Sequence, residues 1–479
     1  MNNPLVLEIV VVVLGLGLLL LDLWLPVERR RTLGYAAAGV LLLLLAGSFL
    51  TAVPETTHAF GKMYVQDTLA IFFKRLFLFS GVVVLVMAVE FFDKLQAGLS
   101  EFFALVLFAL AGMLFAASTN DFALLFVAVE LITVTFYVLT SFQRNRALSL
   151  EAGVKYLILG ALSSAFMVFG IALIYGTTAK LNFGEIAAVA PQFVTNKIFL
   201  IGLLLVIVGL GFKIAAFPFQ MWAPDVYQGS PTPVTAFLAV GSKAAGFVLL
   251  LRVLFGAAPQ ITAHWPTLLM VLSGVTILYG NLCALPQRNL KRLLGYSSIS
   301  NAGYLLLGVA ALSVAGQAAL LYYLAGYVFT VLAAFLVLTL VLRQVESEDI
   351  TALAGLSQRS PMLAAILTLA MVSLAGVPPL AGFFGKFLLL KSVVEQAAGN
   401  TGYYWLVGAA VIGVVISLRY YFGVIQAIYW SKDVTDLSPI AISMPMRLCL
   451  WACAAGVIFL GLFPGWVVNF ATAAAKVFR

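Results

Sequence analysis

Four ionisable residues stand where hydrocarbon is expected. Glu130 is central in DFALLFVAVELITVTFYVLTSF (121–142), and Lys213 lies in IFLIGLLLVIVGLGFKIAAFPF (198–219). Lys243 is central in VTAFLAVGSKAAGFVLLLRVLF (234–255), and Lys386 lies in GFFGKFLLLK (382–391). A lone ammonium in a bilayer costs at least roughly 2.5–3.5 kcal/mol on insertion scales, so a charge kept there has a use. Buried charges are normally paired or neutralised, and lysine exchanges its proton readily once buried. One carboxylate and three amines are therefore the parts of a proton relay. The simplest assignment pairs Glu130 with Lys213, since opposite charges at about 4 Å attract by on the order of 4 kcal/mol at an effective dielectric near 20. Opening that pair favours proton release from Lys213, with Lys243 and Lys386 as the next acceptors.

The elements that must hold these residues are interrupted helices. Pro218 follows Lys213 by five residues, and Pro378 and Pro379 precede Lys386 in GVPPLAGFFGK (376–386). Proline removes a backbone donor and breaks a helix. Broken helices at corresponding positions of two halves point to a transporter-type site. The rest of the chain fits: 479 residues are 63% hydrophobic and 10% charged, against roughly 25% charged in soluble domains. Apolar runs of about 18 or more residues recur, which predicts an all-α polytopic membrane protein. The runs do not alternate, which disfavours a β-barrel. About 14 spans are expected, among them 5–25, 198–219, 361–395 and 446–470. The breaks divide the chain into an N-terminal three-helix segment (1–91), two five-helix repeats (92–256 and 257–430) and a C-terminal helix (431–479). Five is odd, so the second repeat should be inverted relative to the first.

Net charge is +8, but the basic residues cluster in short loops, as membrane orientation requires and nucleic-acid binding does not. Arg29–Arg31, Arg144 with Arg146, and Arg288 with Lys291 and Arg292 should all face the cytoplasm. Both termini then lie outside, with Lys476 and Arg479 arguing mildly the other way. The N-terminus has no basic stretch before its apolar run, so a retained first helix is expected. Lys74, Lys155 and Arg252 lie nearer helix ends, where snorkelling is the simplest expectation. Tyr296, Ser297, Ser298 and Ser300 either line a hydrated path or pack helices; Arg419, Tyr322 and Tyr323 are equally open. Cys283, Cys449 and Cys453 lie in apolar runs, and His58 and His264 in loops, so no metal role is assigned. There is no P-loop, no dinucleotide fingerprint and no cysteine framework for an iron–sulfur cluster. No cofactor is expected in this chain, which must run on an ion gradient or on partner subunits.

Three segments carry a resemblance to a known family. GFKIAAFPFQMWAPDVYQGSPTPVTAFLAVGSKAAGF (211–247), NLKRLLGYSSISNAGYLLLG (289–308) and AGVPPLAGFFGKF (375–387) resemble the antiporter-like subunits of proton-pumping NADH:quinone oxidoreductase, respiratory complex I. The likeness extends over nearly the whole chain, including SLEAGVKYLILGALSSAFMVFGIALIYG (149–176). It implies fourteen helices with two inverted repeats and a proton channel in the membrane arm. It implies that Glu130 is the essential glutamate, Lys213 the broken-helix lysine, Lys243 the central lysine and Lys386 the exit-side residue. The expected setting is a bacterial inner membrane. The expected partners are other antiporter-like and small membrane-arm subunits, with NADH, FMN, iron–sulfur clusters and quinone held elsewhere in the complex. Subunits of cation/proton antiporter complexes and membrane-bound hydrogenases share much of the motif set. A purely structural helix bundle is the remaining alternative.

Overall fold

A hydrocarbon environment offers no partner for a free backbone N–H or C=O, so apolar segments that cross it close their hydrogen bonds within helices. The computed structural model describes all residues except 1–3, 27–28, 51–55, 92–97, 346, 432–437 and 479, so Arg479 lies outside the described residues. The chain begins with α1 (Val6–Asp22) and α2 (Arg30–Leu50), followed by a small hairpin of β1 (Thr57–Ala59) and β2 (Tyr64–Gln66). Next come α3 (Thr68–Glu90), α4 (Leu99–Ala117), α5 (Phe122–Thr140), α6 (Ala147–Thr178) and the short α7 (Phe183–Val189). The first interrupted pair is α8 (Lys197–Ile214) and α9 (Trp222–Gly229), and α10 spans Thr232–Ala257. Beyond it lie α11 (Pro266–Ala284), α12 (Leu290–Ala310) and α13 (Val314–Gln344). The second interrupted pair is α14 (Pro361–Ala375) and α15 (Ala381–Val394), and the chain ends with α16 (Gly402–Trp430), α17 (Met444–Leu462) and α18 (Pro464–Ala475).

Among the described residues, 12 helices are long and apolar enough to cross a membrane. The expected span at 5–25 is a 17-residue helix. The expected single spans at 361–395 and 446–470 are each two helices, split after Ala375 and Leu462. In both cases a proline follows and cannot continue the ladder. The centre of the bundle is α10, α12 and α13, buried along nearly their whole length, whereas α2, α6 and α16 are largely exposed.

The two membrane faces carry different polar chemistry. The hairpin packs over one face, where Tyr64 bridges to Thr119 and Asp121 to Asn182. There Lys74 pairs with Glu8 at 2.7 Å and Arg252 with Asp67 at 2.9 Å. Arg252 also donates to the Ala117 carbonyl at 2.7 Å. These four charged side chains are buried. Lys74 and Arg252 therefore do not snorkel to water, because the hairpin covers the helix ends that they would have to pass. Only Lys155 of the three is substantially exposed, paired with Glu151 and Asp225. On the opposite face, Arg30 pairs with Asp22, Arg146 and Lys291 share Glu348, and Arg343 pairs with Glu90. The three basic clusters thus gather on one face. The described chain ends lie on the other, since Tyr64 donates to the Pro4 carbonyl and Phe478 packs on Phe255.

Candidate functional site

The two breaks create the site by ending helices in mid-bundle. At the first, α8 stops where Ala215 turns left-handed (φ 56), and Phe217–Pro218 is cis. The freed groups find partners: the Phe217 N–H donates to Thr276 Oγ1 at 3.1 Å, and the Trp222 indole N–H donates to the Phe212 carbonyl at 2.9 Å. At the second, Gly376 takes φ 85, open to glycine without a Cβ penalty, and Pro378–Pro379 is cis. All three break prolines lie on the exposed side of their turns.

Lys213 sits in the last turn of α8, where the helix dipole places partial negative charge and favours a cation. Its Nζ donates to Thr133 Oγ1 and lies 5.8 Å from the centre of the Tyr156 ring. Glu130 is one turn from Thr133 on the same face of α5, and accepts instead from Ser164 Oγ. The expected Glu130–Lys213 ion pair is therefore not formed: no N···O contact within 4 Å joins them among the described residues. The one-turn offset along α5 presents a hydroxyl to the amine in place of the carboxylate, although Glu130 remains the acidic group whose charge acts on Lys213.

Lys243 lies in the middle of α10, directly after a π-helical turn at Leu238–Ser242; such turns are frequent at functional positions. Its amine donates to the carbonyl and hydroxyl of Ser298 on α12. Tyr327 donates to the same hydroxyl at 3.0 Å, and Tyr227 of α9 reaches it at 3.0 Å. Gly246 lets α8 approach α10: a Cβ there would stand 2.7 Å from Ile214 and 3.2 Å from Lys213. Next to Ser298, Ser297 bonds the Tyr421 hydroxyl, and Asn301 accepts from Tyr323 at 2.6 Å. Beyond it, Tyr420 donates to Asn281 at 2.9 Å. So Ser297 and Tyr323 belong to one polar cluster and Ser298 to the one beside it, while Tyr322 donates to the Leu460 carbonyl away from both.

Lys386 follows the second break and reaches back across it. Its amine donates to the Leu374 carbonyl at 2.7 Å and approaches the Ala375 carbonyl at 3.4 Å. It thereby satisfies acceptors that every helix C-terminus leaves unpaired. The amine lies 4.7 Å from the centre of the Tyr304 ring. Lys213, Lys243 and Lys386 are 5%, 2% and 4% exposed, so none reaches an interface.

A pattern not evident in the sequence is that each of these lysines faces a tyrosine ring: Tyr156, Tyr327 and Tyr304 respectively. The quadrupole of such a ring attracts a desolvated ammonium. The partners are long-range, and no spacing along the chain signals them. A cavity of about 200 Å³ opens on the basic face between Phe91, Gln143, Arg146, Thr232, Leu342, Val345 and Glu348. Thr232 begins α10, which carries Lys243 eleven residues, roughly 16 Å, further in. Burial pushes the Glu348 carboxyl up, but Lys291 and Arg146 outweigh that and hold it below its ordinary value.

A helical membrane bundle with two interrupted helices and a buried line of amines defines the class of antiporter-like membrane subunits. The family described as NADH:quinone oxidoreductase/Mrp antiporter, transmembrane, matches residues 119–417. A protein named NADH-quinone oxidoreductase subunit N from Desulforamulus reducens is 39% identical over 98% of this chain and 97% of its own length. One of the same name from Rhodospirillum rubrum is 39% identical over 99% and 97%. Among solved structures, a chain of Thermus thermophilus respiratory complex I with bound aureothin superposes with TM-score 0.79 and 35% identity, covering 97% of this chain and 98% of that one. A chain of the Dietzia Mrp complex shares the fold, at TM-score 0.82 and 21% identity, over 99% and 97%. The chain belongs to the NADH-quinone oxidoreductase subunit N family, within that antiporter-like class.

Proposed function

We propose that this chain moves protons across a bacterial inner membrane, as a membrane-arm subunit of NADH:quinone oxidoreductase. The observation that supports this reading most is the run of three buried amines on interrupted or π-distorted helices, two of them bonded to hydroxyl groups of the bundle interior. Protons are taken up at the basic, cytoplasmic face, where the cavity beside Glu348 meets the foot of α10. They pass Lys213 and Lys243 and leave past Lys386 to the outside. Both chain ends then lie outside, and the units 92–256 and 257–430 are inverted repeats with one interrupted helix each.

Opening of the Lys213–Thr133 contact lets the amine approach Glu130, and its movement back releases a proton toward Lys243. Glu130 acts here as the counter-charge that decides when Lys213 holds its proton. NADH, FMN, iron–sulfur clusters and quinone belong to partner subunits, and the electron transfer there drives the change. The partners in the membrane are other antiporter-like subunits and the small membrane-arm subunits.

The test is proton pumping by the assembled complex in proteoliposomes. Lys213→Ala should assemble and lose pumping; a variant that assembles and pumps at the parent ratio of protons to electrons refutes the relay. A cation/proton antiporter would instead exchange sodium or potassium in vesicles that hold this chain without redox partners. Copurifying chains with flavin and iron–sulfur centres would favour the oxidoreductase over that alternative.

A further inference from the structure

We infer that Tyr156 is a member of the proton path, its phenol hydroxyl carrying the proton between Lys213 and the Ser242–Lys243 end of α10. This rests on the relay reading above.

The three lysine–tyrosine pairs are not alike. At Lys243 the tyrosine hydroxyl is occupied, Tyr327 donating to Ser298 Oγ at 3.0 Å. At Lys386 it is also occupied, Tyr304 donating to the Ala410 carbonyl at 2.8 Å. At Lys213 the Tyr156 hydroxyl is fully buried and completes no hydrogen bond among the described residues. It faces Ser242, the residue before Lys243. Tyr156 thus sets its ring, with that of Phe212, beside one relay lysine and points its hydroxyl at the neighbour of the next.

Packing alone does not account for that hydroxyl. The ring is held by Trp222, Tyr137 and Phe212 at centroid distances of 4.9, 5.4 and 5.8 Å. Phenylalanine would fill the same space without a buried, unsatisfied donor, whose desolvation is unfavourable. The relay also needs a connection here: among the described residues no hydrogen bond joins Lys213 or Thr133 to the cluster around Lys243.

The step balances without ionising the phenol. The Lys213 ammonium gives up one N–H proton to the Tyr156 oxygen through one water, while the original Tyr156 O–H proton passes to the Ser242 oxygen. Ser242 releases its own proton, through a second water, to the neutral Lys243 amine, which becomes the ammonium. Each hydroxyl then holds one proton again. The titratable groups that face Tyr156 are Tyr137 and Glu130 of α5, Lys213 of α8 and Tyr227 of α9.

The experiment uses the assembled complex in proteoliposomes with Tyr156→Phe, and separately with 3-fluorotyrosine at position 156, beside Lys213→Ala and Lys243→Ala. Tyr156→Phe should lower NADH-driven pumping by at least about tenfold, in the range of a lost proton-transfer group. The fluorinated phenol is more acidic and nearly the same shape, so the pH profile of pumping should move; a merely structural hydroxyl would leave it in place. Parental pumping by Tyr156→Phe with loss in both lysine variants overturns the role of Tyr156 and leaves the relay standing. Parental pumping by the lysine variants as well overturns both. If Tyr156→Phe does not assemble, the fluorotyrosine protein decides, and an unshifted profile overturns the inference.

Discussion

The two helix breaks use the same ingredients in opposite order. At the first, the lysine precedes the break and ends its own helix, and its amine meets a threonine hydroxyl near a carboxylate. At the second, the lysine follows the break and binds the carbonyls of the preceding half. The Lys213 amine has partners that it can exchange at little structural cost. The Lys386 amine holds two helix halves together, so losing its contact exposes backbone acceptors in a dry interior. The comparison separates an exchange point from an anchored one, although both are buried lysines beside proline.

The largest effect should appear in pumping. Lys213→Ala should reduce NADH-driven proton uptake in proteoliposomes by more than about tenfold, with thermal stability of the complex nearly unchanged. Lys386→Met should reduce pumping and stability together. The orphaned Leu374 and Ala375 carbonyls should cost about 1–3 kcal/mol, read as a lowered unfolding midpoint in detergent. Equal stability losses in the two variants would erase the distinction between the breaks. Thr276→Val removes the hydroxyl that accepts the Phe217 N–H in the first break. It should cost roughly 1 kcal/mol, less than Lys386→Met, because one donor is orphaned and the turn is partly exposed.

The smallest expected effect concerns the outer support of the first break. Lys291 pairs with Glu348 and also donates to the Ser230 carbonyl, just after α9. Glu348 is depressed below its ordinary value when folded, so its stabilisation is present above the unfolded value of about 4.3 and is lost as pH falls through the folded one. Glu348→Gln should therefore lower stability slightly at neutral pH, by about 1 kcal/mol or less given the exposure of Arg146, read as a slightly lower melting temperature. That difference should close in acid. A gap that widens on acidification would contradict the assignment.

Much of this arrangement was legible in the chain itself. Apolar length gave most of the spans, and prolines at 218, 378 and 379 marked where helices stop. The basic loops gathered on one face as their spacing implied. Other features were not legible. Lys74 and Arg252 read as snorkelling because they lie near helix ends, but the hairpin that seals them inside is a tertiary fact. Glu130 and Lys213 read as a pair because both are charged and apolar surroundings demand compensation. Which oxygen meets the amine depends on the rotation and height of α5 against α8, and a shift of one turn puts Thr133 there.

Hydropathy and backbone chemistry act locally, so the sequence alone determined that this is a multi-helix membrane protein with four ionisable groups inside its spans and two interrupted helices. The partners of those groups come from helices up to about eighty residues away, as with Lys213 and Thr133. Only the packing of the bundle decided that each lysine faces a tyrosine and that Ser298 gathers Lys243, Tyr227 and Tyr327. Helix rotation and depth set those contacts, and they depend on how close-packed surfaces fit together.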